Sequence, residues 1–180
     1  DIVDIDGTSP LQFPDIAIDQ YFVSIRHRNH LGIMSLNALP VFELQSLVDF
    51  TSMSFPTFDF GTTKNNGYDY TGLAQNSYVY SGFNAMWAGD FDANSKIKAS
   101  NPNDDINNLF FEIFVFPENT LGNSNFDKAY GYFQGDYDMN SKSKYDNPND
   151  DRNFVLAQLL FYPQNIQFLP NFDFFIAQLP

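Results

Sequence analysis

Two stretches of this chain are copies of one another, and no other feature narrows the folds open to it as much. GDFDANSKIKASNPNDDINNLFFEIFVFPEN (89–119) aligns without gaps on GDYDMNSKSKYDNPNDDRNFVLAQLLFYPQN (135–165), at an offset of 46 residues and with about half the positions identical. The shared letters are polar: Gly, Asp, Asp, Asn, Ser, two Lys, then Asn-Pro-Asn-Asp-Asp. The apolar stretch that follows keeps its character but not its letters, as core positions do when only volume and hydrophobicity matter. Carboxylates held at fixed spacing point to a task for the spacing itself.

Asp90, Asp92 and Asn94 in the first copy, and Asp136, Asp138 and Asn140 in the second, spell D-x-D-x-N. This is the opening of a calcium loop, in which positions 1, 3 and 5 wrap one side of the ion. Position 7 supplies a backbone carbonyl, here that of Lys96 or Lys142. An EF-hand places a bidentate carboxylate at position 12, where this chain has Asn101 and Asn147, a poor fit. Acidic pairs follow instead at Asp104–Asp105 and Asp150–Asp151. The reading is a longer loop closed by the second Asp of each pair, Asp105 or Asp151, from the first turn of a helix. The first Asp of the pair then serves as N-cap. Ser95 and Ser141 stand where the sharp turn usually takes Gly, at a cost of about 1 kcal/mol. The bland alternative is a pair of Asp/Asn-rich surface turns. Two copies of the same acid spacing, self-repelling without a cation, favour two calcium sites. Hard oxygen donors argue against zinc and copper.

The segments after the loops, roughly 105–116 and 151–162, read as short helices ending before Pro117 and Pro163. Rich in Phe and Leu on more than one side, they are expected to be buried against each other or against the β part, with a dimer or partner surface as the alternative. In the first half, YFVSIRHR (21–28) alternates Tyr21, Val23, Ile25 and His27 against Phe22, Ser24, Arg26 and Arg28. NHLGIMS, PVFELQ and LVDFTS follow with similar short periods, as strands of an antiparallel sandwich would. From 55 to 88 no clean period emerges, and an ordered but irregular connection held by aromatics is expected. The fold class is therefore mainly β. A partial antiparallel sandwich over 1–80, lacking its first strands, precedes the tandem loop–helix repeats over 81–180.

Composition closes off several functions. With 9 Lys+Arg against 22 Asp+Glu the chain carries a formal charge of −13, which excludes nucleic acid as a partner and favours a cation. It has no cysteine, so disulfide scaffolds and thiolate metal sites are out. Its longest apolar runs are about half the length of a membrane-spanning helix. No nucleophile elbow, zinc-protease motif or phosphate-binding loop is present, and the conspicuous acids belong to the loops, so no catalytic residue is assigned. RHRNH (26–30), the one basic cluster, holds both histidines. Its expected role is structural pairing with carboxylates, ahead of ligand contact. A carbohydrate-binding surface that uses exposed Tyr or Trp87 is the alternative suggested by the 18% aromatic content.

With these residues in view, the chain resembles a region near the C-terminus of large secreted and cell-surface proteins of Bacteroidota, adhesin- or haemagglutinin-like. DIVDIDGTSPLQF looks like the family's "DGDIVDVDG-S" strand pair, and YFVSIRHRNHLGIMS is close to its "YY-IRHRNHLGVMT". The two GD-x-D-x-N loops with N-P-N-D-D are similar to its "GD-N-DG…GP-ND" repeats, and the end of the chain matches a family-like "F-I-QLP". The resemblance spans nearly the whole chain. It implies export by the type IX route, an extracellular or outer-surface location, and a dockerin-like calcium site in each loop, but no known reaction. Asp90, Asp92, Asn94 and Asp105 match the family's loop acids and amides, as do Asp136, Asp138, Asn140 and Asp151; Ser95 and Ser141 replace its usual Gly. The expected partners are the parent polypeptide or an outer-membrane secretion assembly, with a glycan or a docking protein as alternatives. The chain begins at Asp1 rather than Met and is expected to be a piece of a longer or processed polypeptide. The function expected is that of a non-enzymatic, calcium-stabilised structural or adhesion module. The alternatives are a carbohydrate- or protein-binding module and an accessory segment of a secreted hydrolase.

Overall fold

A computed structural model describes every residue except 1–5, 10, 14–15, 18, 41–47, 65, 79–80, 101 and 147. The strand candidate PVFELQ lies outside the described residues apart from Pro40, and so do most of DIVDIDG and both Asn101 and Asn147.

Strand pairing in the first half follows the alternation in the sequence. β1 (Gln20–Tyr21) pairs with β4 (Leu39–Pro40), and β2 (Ser24–His27) pairs with β3 (His30–Met34), both antiparallel. Tyr21, Val23, Ile25 and His27 are the more buried set, whereas Phe22, Ser24 and Arg26 are exposed. The register slips between Ile25 and His27. Beyond that irregularity the chain turns at Arg28–Asn29, and Arg28 swings inward, off the exposed face that strict alternation assigns to it. LVDFTS is not a strand over its described residues. Asp49 Oδ1 accepts from the backbone N–H and the hydroxyl of Thr51, a local turn that competes with a ladder, and only Ser52 bridges to Phe83. The irregular stretch conceals one hairpin, β5 (Asn76–Tyr78) with β6 (Phe83–Ala85), turned at Gly82 with φ 74°. The described strands form two-stranded antiparallel pairs, and closure into a sandwich is not among their pairings.

The repeats build the rest. β7 (Lys96–Ile97) leads to α1 (Asp105–Phe114), and β8 (Ala129–Tyr130) pairs with β9 (Lys142–Ser143) ahead of α2 (Asp151–Leu160). β10 (Phe175–Ile176) pairs back on β7. Asp104 and Asp150 are the N-caps, each accepting from the backbone N–H three residues on, at 2.6 Å. At the other end, Asn119 and Asn165 each donate a side-chain N–H to a last-turn carbonyl, Ile113 O and Leu159 O, both at 2.8 Å. α1 buries Ile106, Leu109 and Ile113 on one face while Phe111 and Phe114 stay exposed, so it is amphipathic rather than buried all round.

One apolar cluster draws on both portions of the chain. Leu31 comes from the β part, Trp87 from the approach to the first acidic loop, Leu109, Ile113, Val155 and Leu159 from the helices, and Tyr162, Phe172 and Phe175 from the last segment. Trp87 is 6% exposed and packs edge-on to Phe175 at 4.8 Å, so it is core and not a sugar platform. The final segment is stitched to the first half by polar contacts as well: Tyr70 donates its hydroxyl to Phe174 O, and Gln178 accepts from Phe60 N–H.

Candidate metal centres

Each acidic loop is shaped by its own carboxylates. Asp90 Oδ2 accepts from Ser95 N–H at 3.0 Å, and Asp136 Oδ2 from Ser141 N–H at 3.1 Å. These bonds pull Ser95 and Ser141 into the left-handed region, both at φ 68°. The closing acids act from the first helical turn. Asp105 accepts from Phe91 N–H and Lys98 N–H, both at 2.7 Å; Asp151 accepts from Tyr137 N–H at 2.7 Å and Lys144 N–H at 2.8 Å. Each loop is thus tied shut around carboxylates rather than around apolar side chains.

The result is two matching acidic groups. Carboxylate oxygens of Asp90, Asp92 and Asp105 lie within 4.8 Å of one another, and so do those of Asp136, Asp138 and Asp151. In each group the first and last acids are buried and the middle one is exposed. Burial pushes the Asp90 carboxyl up to about 6 and those of Asp105 and Asp151 up to about 7, despite the backbone N–H groups that favour the anions. The Asp136 carboxyl is also raised by burial, against the pull of the Ser141 and Asn140 N–H groups and of Arg28. Such groups can hold a metal ion, and one atom makes the case specific. Asp90 Oδ1 is buried without a hydrogen-bond partner, in a residue 5% exposed. A buried, unsatisfied carboxylate oxygen is costly unless a cation meets it.

The remaining sequence candidates fall into place around these groups. Asn94 donates its backbone N–H to Asp92 Oδ1, and Asn140 donates backbone and side-chain N–H groups to Asp138, the latter at 2.8 Å. The Asn140 side-chain N–H is directed at its neighbour's carboxylate, and the amide oxygen is a separate acceptor. Lys96 and Lys142 open β7 and β9, with their ammonium groups drawn off to Asp173 at 3.3 Å and Asp127 at 3.7 Å.

The parts that hold the two loops together are not evident from the sequence. The β2–β3 turn is wedged between them. Asn29, fully buried, accepts at its backbone oxygen from Gly89 N–H and Asp90 N–H, at 2.9 and 3.1 Å. Its side-chain N–H groups reach Gln134 O and Asp136 O at 2.7 and 2.8 Å. Gln134 returns the link by donating to Arg28 O and Phe91 O. The helices cross over in the same way. Glu112 of α1 accepts from Gln134 N–H, Gly135 N–H and the Ser143 hydroxyl of the second loop, whereas Gln158 of α2 accepts from Ala88 N–H at the entry of the first. Gly135 and Gly89 pack against those same helices. A Cβ at Gly89 would sit 2.9 Å from Val155, and one at Gly135 would strike Leu109. One signal for this was available: Glu112 and Gln158 occupy the same repeat position, a polar letter in an otherwise apolar stretch.

In RHRNH, Arg28 pairs with Asp136 at 3.3 Å, and the two histidines face each other with Nδ1 atoms 2.9 Å apart. Burial lowers both imidazoles, His30 to about 3, so they stay neutral packing elements of the turn. No helix among the described residues is long and apolar enough to cross a membrane. Comparison with protein-family models, with curated proteins and with solved structures found no match.

Proposed function

We propose that this chain is a non-enzymatic, extracellular module whose folding is stabilised by two calcium ions, carried by a larger secreted or surface protein. The buried, partnerless Asp90 Oδ1 carries the reading, because a cation is the partner that such an atom lacks. Calcium fits the donor set: carboxylate oxygens only, with no thiolate or imidazole in either group, and one exposed acid per group to reach a hydrated ion. Asp90, Asp92 and Asp105 would hold one ion, and Asp136, Asp138 and Asp151 the other. On this reading 1–80 belongs to an antiparallel sandwich packed on the repeats. The ions neutralise the clustered acids and pin each loop to its helix. At millimolar calcium and a Kd about 100-fold lower, each ion adds roughly 2.7 kcal/mol. Folding then becomes conditional on reaching a calcium-rich exterior. Thermal melts in chelator and across a calcium titration, with magnesium as control, test this. A rise of many degrees specific to calcium is expected; no shift overturns the reading.

One observation favours a second reading, a protein-docking module. Val115 and Phe161 occupy matching positions of the two copies, just past each helix, and are 67% and 76% exposed. Paired exposed apolar positions suit a partner. Pull-down of a partner that is lost in chelator, and lost on Phe161→Ser without loss of stability, would support docking.

A further inference from the structure

We propose that Arg28 is a built-in cation of the second acidic group, which makes the two metal sites unequal. The group of Asp90, Asp92 and Asp105 takes the first ion, and an ion entering the group of Asp136, Asp138 and Asp151 has to compete with Arg28. This inference rests on the metal reading above. The copies agree at the three grouped acids, the N-cap Asp and the left-handed Ser, so the acidic groups themselves are alike. Beyond the groups the second copy adds Asp146 and Arg152, one charge of each sign, where the first has Ser100 and Ile106. The charge that touches a grouped acid comes from outside the repeat. Arg28 NH2 lies 3.3 Å from Asp136 Oδ2, with the two side chains 12% and 3% exposed. Asp136 Oδ1 meanwhile accepts from Asn140 N–H at 3.0 Å, so both oxygens are engaged. The corresponding Asp90 keeps one oxygen without a partner. Among the described residues the ion pairs are Arg28–Asp136, Lys96–Asp173 and Lys142–Asp127, and none of them reaches the first group.

Arg28 is held there by more than the carboxylate. Its Nε donates to Phe133 O at 2.8 Å, and its guanidinium lies over the Tyr132 ring, 3.7 Å from the centroid. The charge is therefore pre-placed and does not depend on Asp136 for its position. A divalent ion at the second group meets a fixed positive charge in a half-dry setting, where repulsion is little screened, and must share the Asp136 oxygen that Arg28 holds. At the first group it meets three carboxylates and an oxygen awaiting a partner. Without any ion, Arg28 partly neutralises the second loop, whereas the first has no such substitute.

Calcium titration of the chelator-stripped full chain by calorimetry, at low salt, tests the proposal. Two binding classes are expected, about tenfold or more apart. Asp92→Ala should remove the tighter class and Asp138→Ala the weaker one, both acids being exposed enough to leave the fold intact. Arg28→Gln should tighten the weaker class by about tenfold and leave the tighter one unchanged, whereas Arg28→Lys, which keeps the charge, should stay within about threefold of wild type. Equal affinities, a tighter class removed by Asp138→Ala, or a weaker class indifferent to Arg28→Gln would overturn it. If Arg28→Gln does not fold, the Asp92 and Asp138 variants still decide which site is tighter. A wild-type chain that binds no divalent ion defeats the metal reading itself, a different result from two equal sites.

Discussion

Loops 89–98 and 135–144 share their acids, their left-handed serine and their capped helix, yet they are neutralised differently. In the second, Asp136 is met by Arg28 from the β2–β3 turn; in the first, Asp90 keeps a buried oxygen with no partner. The turn that supplies Arg28 also inserts Asn29 between the loops, giving its backbone oxygen to one and its side-chain amide to the other. Duplicated sequence thus yields duplicated geometry but not duplicated electrostatics, because a single element outside the repeat cannot present the same face to both copies.

The largest expected effect comes from removing the wedge. Asn29→Ala leaves Gln134 O and Asp136 O without their buried donor, and should cost roughly 3 kcal/mol. For a chain of this size that lowers Tm by about 6–12 °C in calcium. A change under about 1 kcal/mol would mean that the loops do not depend on the turn.

The next comparison separates the loops in chelator at pH 8. Asp136→Asn strands Arg28 in a mostly buried position and should destabilise by about 2 kcal/mol. Asp90→Asn removes a buried anion that has no ion-pair partner and leaves an oxygen to accept from Ser95 N–H, so it should be neutral or mildly stabilising while abolishing one calcium site. Equal losses in denaturant unfolding would erase the distinction between the copies.

The acids also set a pH dependence. Asp90, Asp105 and Asp151 titrate near 6, 7 and 7 when folded, above their unfolded values, because burial disfavours their charged forms. The folded state then binds more protons, so the stability it gains is complete below about pH 4 and is lost as pH rises through about 7. In chelator Tm should fall by a few degrees across that window, whereas with calcium bound the fall should vanish, so the calcium effect widens with pH. Melts from pH 4.5 to 8 check this, and a gap that narrows with pH would contradict it.

The smallest effect serves as the control for symmetry. Ser95→Gly and Ser141→Gly relieve the same φ of 68°, and each should gain about 0.5 kcal/mol in chelator melts. Unequal gains would show that backbone strain, and not only charge, differs between the loops.

Much of the site is legible in the order of residues alone. D-x-D-x-N followed by an Asp pair locates both acidic groups, the capping Asp104 and Asp150, and the helices beyond, since each of these depends on chemistry within some fifteen residues of chain. The alternation of 21–27 marks a half-buried strand. The hairpin at 76–85 escapes notice because its short strands alternate too little to stand out from the aromatic, glycine-rich stretch around them. Arg28 is legible as a partner for a carboxylate, but not for which one, because Asp136 lies 108 residues away.

The sequence by itself determined that the chain carries two equivalent acidic loops, each closed from the start of a helix, because side chains a few residues apart can reach only a few backbone positions. Only the tertiary structure decided that the loops share one wedge, that Glu112 and Gln158 each hold the other copy's loop, and that one copy receives Arg28 while the other keeps an oxygen unmet. Those outcomes depend on which surfaces meet when one core closes over both halves, and repetition along the chain carries no information about what lies beside each copy in space.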